Sequence, residues 1–348
     1  MNPIINKEQI KKILIIQFRY IGDIILSTPL IKILRESFPQ SHIAFLVEPA
    51  PGEILEGNPN IDEIIYFEKR KDDIIGSYKF FRSLKNKKFD LVIDLVGTPG
   101  TAWATFFSKA KYRVGYNVRI RKYAYNLITS DDTVERYSAL KKLVLLKKIG
   151  IYKEEYKLFL KINENHRKFA EDFFNINNIS DHKLKIFFAP NSKIPTKRWN
   201  KERFAELGDL LNEKYQAHVI ILWGNPEELK YTREIAELMN YKPVLMPKVM
   251  LKEMAAVIEK CDLMVACDSG PKHIGTAMEI PTVTIFGSSM DILWNPPEND
   301  KFAVVKGNVP CIGCGLNKCD HMSCMDNLKV KDIENAMMKL KQNGYLLL

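Results

Sequence analysis

Asp268-Ser269-Gly270-Pro271-Lys272-His273 directly follows the apolar run Leu263-Met264-Val265-Ala266-Cys267, so a carboxylate, a hydroxyl, a glycine and two nitrogen-bearing side chains stand where an apolar strand would end. Capping side chains, a permissive glycine and a proline suited to a first helical turn read as a tight turn into a helix. Such a turn aims free N–H groups and the positive end of a helix dipole outward, which suits a phosphate. A second group lies near the start, in Phe18-Arg19-Tyr20-Ile21-Gly22-Asp23. A carboxylate at Asp23 either caps the helix that follows or takes the proton of a sugar hydroxyl as that hydroxyl attacks. A third set is Asn191-Ser192-Lys193 with Lys197-Arg198-Trp199, followed by Gly224-Asn225-Pro226-Glu227-Glu228 and Gly287-Ser288-Ser289. Lys193, Lys197 and the backbone N–H groups would hold a diphosphate, and Glu228 would accept hydrogen bonds from ribose hydroxyls.

Four of the six cysteines form a further cluster, Cys311-x2-Cys314-x4-Cys319-x4-Cys324, with His321 beside them. Close thiols in a reducing compartment can bind a structural zinc ion or an iron–sulfur cluster. The plain alternative is a compact loop of buried thiols. Cys261 and Cys267 fall in a helix end and a strand and read as core.

These loops need rigid elements behind them. Lys11 to Gln17 is a buried-strand pattern, and an apolar periodic run from Ile24 to Phe38 reads as the helix after it. Ile43–Val47, 61–66 and 89–95 continue the alternation, and Asp94 to Gly100 ends the fourth strand with polar and glycine residues on the same edge as Gly22-Asp23. A second series begins near residue 184, with strands over 184–190, 217–223, 244–245, 263–267 and 282–287 and a helix from Asn200 to Tyr215. Two βα series in tandem predict two Rossmann-like domains, residues 1–160 and 161–329, with a last helix over roughly 330–342. The loop after the first strand lacks Gly-x-Gly-x-x-Gly, which argues against a nicotinamide or flavin dinucleotide there.

At 348 residues, 46% hydrophobic and 27% charged, the chain has the composition of a folded soluble protein. It shows no apolar run of spanning length and no signal-peptide pattern at Met1 to Lys12, so a cytosolic protein is expected. The net charge of +10 is uneven: residues 109–148 hold 11 Lys or Arg against Asp131, Asp132 and Glu135. Tyr112, Tyr116, Tyr123 and Tyr125 are mixed with Arg113, Arg119, Arg121 and Lys122, a combination that suits sugar faces and phosphate. The field favours an anionic partner such as a phosphorylated glycolipid, an anionic membrane face or nucleic acid. Nucleic acid would leave both loop series unexplained.

Ile13 to Pro29, with Gly22-Asp23 opening the helix and Ser27-Thr28-Pro29 inside it, resembles the start of the lipopolysaccharide heptosyltransferases of glycosyltransferase family 9. So do Lys197-Arg198-Trp199, Gly224 to Glu228, the Asp268 to His273 segment through Pro281-Thr282-Val283-Thr284-Ile285-Phe286-Gly287, and the cysteine-bearing tail. Asn191-Ser192 and Lys272 depart from the residues usual in that family. The resemblance implies a GT-B architecture, two Rossmann-like domains with parallel sheets facing across a cleft, the acceptor on the first and the nucleotide sugar on the second. It implies that the last helix, within 330–348, packs back on the first domain. It implies inverting, metal-independent transfer of heptose from ADP-heptose to the inner core of lipopolysaccharide, with no cofactor for catalysis. By that likeness Asp23 and Lys197 are catalytic. Ser192, Lys193, Trp199, Gly224, Glu228, Asp268, Ser269, Gly270, Pro271 and His273 contact the donor, and Arg19, Gly22, Arg113, Arg119, Arg121 and Lys122 the acceptor. Cys311, Cys314, Cys319 and Cys324 are the candidate zinc ligands. The protein would be cytoplasmic and peripheral to the inner membrane. A same-fold transferase for another sugar or acceptor, in capsule or glycoprotein assembly, is the alternative, as is a nucleotide-binding homologue without turnover.

Overall fold

Ile13, Leu14, Ile15 and Ile16 have no exposed surface, and a run apolar on both faces can satisfy its backbone only inside a sheet covered on both sides. The computed structural model describes residues 5–68, 73–130, 135–180 and 182–347, and the chain divides into two units at Lys161/Ile162. In the first unit the strands are β1 (Lys12–Ile16), β2 (His42–Val47), β3 (Glu63–Tyr66), β4 (Leu91–Asp94), β5 (Tyr112–Tyr116) and β6 (Leu127–Thr129). They form one sheet in the order β3-β2-β1-β4-β5-β6, and every pairing is parallel. The strand order reverses between β1 and β4, so the loops after these two parallel strands flank the switch point where an open α/β sheet leaves a crevice. Leu14, Ile16, Ala44, Leu46, Val92, Phe81 and Phe89 pack one face of this sheet.

The second unit repeats the plan with β7 (Lys185–Ala189), β8 (His218–Ile221), β9 (Val244–Leu245), β10 (Leu263–Cys267), β11 (Thr282–Phe286) and β12 (Phe302–Lys306). The order is β12-β11-β10-β7-β8-β9, again parallel throughout. Its switch point lies between β7 and β10. The two sheets are therefore Rossmann-like, as the tandem βα pattern predicts.

Two differences from the sequence reading have local causes. The helix expected from Ile24 to Phe38 is broken into Ile21–Ile25 and Thr28–Ser37. Pro29 has no N–H to give the Ile25 carbonyl, and the Thr28 hydroxyl donates to that carbonyl instead at 2.7 Å. Strands β5, β6 and β12 were not anticipated, because their flanking charges and short length hide a strand pattern. The last helix, Val330–Gln342, places Val330, Ile333, Met337 and Leu340 in the core of the second unit with Leu211, Val283 and Val305. Its apolar stripe is one face wide, and the second unit's own sheet and the helix Lys201–Tyr215 take it up.

Candidate active site

The loop after β7 and the loop after β10 meet through Lys197, whose Nζ donates to Asp268 Oδ2 at 2.7 Å. Lys197 stands in a 3-10 turn, Pro195–Lys197, that Thr196 fixes by hydrogen bonds to Ser288 Oγ (2.8 Å) and the Leu316 carbonyl (2.6 Å). This close approach depends on Gly287, where a Cβ would sit 2.7 Å from the Thr196 carbonyl oxygen. Burial alone would raise the Asp268 carboxyl, but Lys272, Lys197 and His273 outweigh it and hold it below the usual carboxylate range. Lys272 is fully buried, donates to the Trp294 carbonyl and lies 5.3 Å from the Phe286 ring centroid. Burial pushes its ammonium down to about 8, against the pull of Asp268.

The helix Gly270–Ala277 begins here with Pro271 in its first turn and Ser269 at the N-cap position. The Ser269 hydroxyl caps no backbone N–H, and its Oγ is buried without a hydrogen-bond partner among the described residues. The Ser289 hydroxyl, on the loop after β11, is in the same condition. The positive end of this helix's dipole and the Lys197 ammonium give this edge the means to hold a diphosphate. His273 is buried with its ring edge-on to Trp294 at 6.1 Å. After β8, Glu228 Oε2 accepts from the Gly224 N–H at 2.8 Å, and Asn225 caps the helix Pro226–Leu238. Ser192 is buried; its carbonyl accepts from Arg198 Nε at 2.6 Å, while Lys193 is exposed on the same loop.

Trp199 does not belong with these groups. It has no exposed surface, its Nε1–H donates to the Leu328 carbonyl at 3.1 Å, and its ring packs on Phe204. The ring is a core anchor, which corrects the expectation of a donor contact: an indole needs a polar partner when buried, and this one has it inside.

In the first unit Asp23 lies on the short helix after β1, on buried Gly22 backbone, with its carboxylate partly open to solvent. Lys142 Nζ reaches its Oδ1 at 3.4 Å. The turn that delivers this helix holds Tyr20 at φ 64°, a value that costs a non-glycine residue energy. Arg19 pairs with Glu48 at 3.2 Å and is half-exposed. Across the switch point, Asp94 is completely buried and accepts from the N–H groups of Val96 and Gly97 and from the Tyr125 hydroxyl at 2.6 Å. Burial lifts its carboxyl above the ordinary range although these hydrogen bonds oppose it.

The basic residues expected to meet an acceptor divide into two kinds. Arg119, Arg121 and Lys122 follow β5 in the 3-10 segment Arg119–Ala124, at the sheet edge that also carries Asp23 and Asp94. Arg113 is corrected to a structural role: its guanidinium donates to the carbonyls of Ala124 (2.9 Å) and Ala110 (2.6 Å), tying β5 to its neighbours. Sequence reasoning missed Lys142, whose only signal was a charged residue on an otherwise apolar helix face.

Cys311 and Cys314 are exposed, Cys319 is half-buried and Cys324 buried, all as free thiols. Among the described residues no three His, Cys, Asp or Glu side chains converge as a metal-ligand set. Burial, with repulsion from Cys311, Cys314 and Cys319, raises the Cys324 thiol. The loop is held through its backbone: Gly313 and Gly315 donate to the carbonyls of Gly287 (3.0 Å) and Ser288 (2.6 Å).

The profile of glycosyltransferase family 9 (heptosyltransferase) matches residues 77–323. The lipopolysaccharide core heptosyltransferase OpsX of Haemophilus influenzae is 24% identical over 280 residues, covering 79% of this chain and 79% of that one. Among solved structures, the family 9 glycosyl transferase of Veillonella parvula has a TM-score of 0.84 at 26% identity, covering 96% of this chain and 97% of its own. The Escherichia coli ADP-heptose heptosyltransferase II has a TM-score of 0.79 at 22% identity, covering 96% and 99%.

Proposed function

Since the chain belongs to glycosyltransferase family 9 and is therefore an enzyme of glycosyl transfer from a nucleotide sugar, we propose that it moves a heptose from ADP-heptose to the inner core of lipopolysaccharide. The observation that carries this reading is that the switch-point loops of the second unit hold a diphosphate-type edge at Lys197, Asp268 and Ser269-Gly270; within the first unit, the loop after β1 presents a carboxylate, Asp23. In the proposed reaction the acceptor hydroxyl gives its proton to Asp23 as its oxygen bonds the anomeric carbon. The bond to the ADP oxygen breaks on the opposite side, so the configuration inverts. ADP leaves with the electron pair, and its growing charge meets Lys197, Lys193 and the N-terminus of the helix Gly270–Ala277. These groups can balance the charge without a metal ion. Glu228 is the proposed ribose contact, and the reading requires acceptor and donor loops to come together during turnover.

Arg19, Arg119, Arg121 and Lys122 are the proposed contacts to the anionic acceptor. No helix of the described residues is long and apolar enough to cross a membrane. We place the enzyme on the cytoplasmic face of the inner membrane, supported by exposed Trp103, Phe106, Ile120 and Tyr123 beside Lys109 and Lys122, whose ammonium groups lie 4.4 and 5.6 Å from the Phe106 and Tyr123 ring centroids.

The test is mass spectrometry of products from ADP-, GDP- and UDP-sugars with truncated lipopolysaccharide acceptors. A heptose mass increment from ADP-heptose is expected, and Asp23→Asn should abolish it while ADP still binds by calorimetry. Transfer only from another sugar nucleotide would replace the donor, and full activity of Asp23→Asn would remove the assigned base.

A further inference from the structure

The helix Ser138–Lys147 turns Ala139, Leu143, Val144, Leu145 and Leu146 inward, and among them Lys142 is only 5% exposed. A leucine or methionine would fill this place without the cost of removing an ammonium from water, so packing does not account for the lysine. Among the described residues the carboxylate within ion-pair distance of Lys142 is Asp23, at 3.4 Å, 119 positions earlier in the chain. Several charged groups on the surrounding elements pair elsewhere. On the helix Thr28–Ser37, Lys32 pairs with Glu155 and Arg35 with Asp62. On the same helix as Lys142, Lys147 pairs with Glu154. Beside the helix that carries Asp23, Glu48 pairs with Arg19 and Glu53 acts on Tyr66.

Resting on the reading of Asp23 as the base, we infer that Lys142 is a positioning residue for the transfer step. Its ammonium is bonded to Oδ1 and anchored in the core, so the carboxylate cannot swing freely about its side chain. The second oxygen, Oδ2, is thereby left to face the acceptor hydroxyl. The hydroxyl proton passes to Asp23 and then to water, and no bond to lysine forms or breaks. A general base that must lie within hydrogen-bond reach of its proton loses rate steeply when it wanders, and displacement by about 1 Å can cost on the order of 100-fold.

The experiment compares Lys142→Met, of similar length and no charge, with Lys142→Arg, using ADP-heptose and heptose-free lipopolysaccharide. Lys142→Met should lower kcat by about 100-fold with KM for ADP-heptose within twofold, and Lys142→Arg should recover most of the loss. A kcat for Lys142→Met within threefold of the parent, in a variant that melts at the parent temperature, overturns the inference. A second readout needs no turnover and no mutation of the lysine. The 15N shift of the Lys142 side-chain nitrogen should change in Asp23→Asn; an unmoved signal would also overturn the contact. If Asp23→Asn retains transfer, the reading of the base fails. If it abolishes transfer while Lys142→Met is unaffected, the inference alone fails.

Discussion

Lys197 Nζ lies 2.7 Å from Asp268 Oδ2, and the two residues come from the loops after β7 and β10, the strands that flank the switch point of the second sheet. The carboxylate holds the ammonium at the sheet edge, beside the N-terminus of the helix Gly270–Ala277. Removing a preorganised donor to a developing anion typically lowers turnover by about 100- to 1,000-fold. Lys197→Ala should lose rate in that range, with weaker ADP binding by calorimetry. Asp268→Ala should lose rate similarly, because the lysine is then no longer aimed. Wild-type kinetics in either variant would show that the pair is only a structural clamp.

Lys272 supplies a pH dependence whose sign can be worked out. Its ammonium is pushed down to about 8 by burial, so it is charged below that pH and neutral above it. ADP affinity should fall as pH rises through about 8, by an amount on the order of 1 kcal/mol, or about fivefold. Stability of the free protein runs the other way. The ordinary lysine value is 10.5, so between about 8 and 10.5 the unfolded chain holds more protons than the folded one and stability rises with pH. Calorimetric titration with ADP from pH 6.5 to 9.5 checks the first trend and urea denaturation the second; Lys272→Met should flatten both.

Trp199 separates a core role from a donor role. A buried tryptophan cut to alanine costs about 3–5 kcal/mol, and the hydrogen bond to the Leu328 carbonyl goes with it. Trp199→Phe should melt lower than the parent yet keep its KM for the sugar nucleotide. A raised KM at unchanged melting temperature would return the residue to the donor site.

The two-sheet plan was legible because β1, β7 and β10 are short apolar runs with chemistry-bearing residues at their carboxyl ends, and period and punctuation alone locate such ends. The loops Asp268 to His273 and Gly224 to Glu228 could be read for the same reason. Side-chain pairings could not. Asp94 is reached by Tyr125 across β5, where Gly115 leaves room for the ring: a Cβ there would lie 2.5 Å from it. A glycine in a basic, tyrosine-rich segment gives no hint of which ring crosses it. Trp199 and Arg113 were misassigned because an aromatic or cationic residue beside a binding motif looks the same in sequence whether it faces ligand or core. Lys142 was overlooked for the complementary reason, since its partner is set by how the helix Ser138–Lys147 packs and not by spacing along the chain.

The cysteines give a last test, in which reactivity reports both burial and metal. The thiolate is the reacting form, and burial pushes Cys267 up to about 12. At pH 7.5 such a thiol is ionised in fewer than about one molecule in ten thousand. Burial also raises Cys261, and it raises Cys324 with added repulsion from Cys311, Cys314 and Cys319. Iodoacetamide on the native protein should therefore label exposed Cys311 and Cys314 first and Cys319 more slowly. Cys261, Cys267 and Cys324 should react only after denaturation. Peptide mapping by mass spectrometry reads the order directly. Protection of Cys311 and Cys314 that a chelator relieves would show instead that a metal gathers the four thiols, a rearrangement that the loop anchored on Gly287 and Ser288 would have to accommodate.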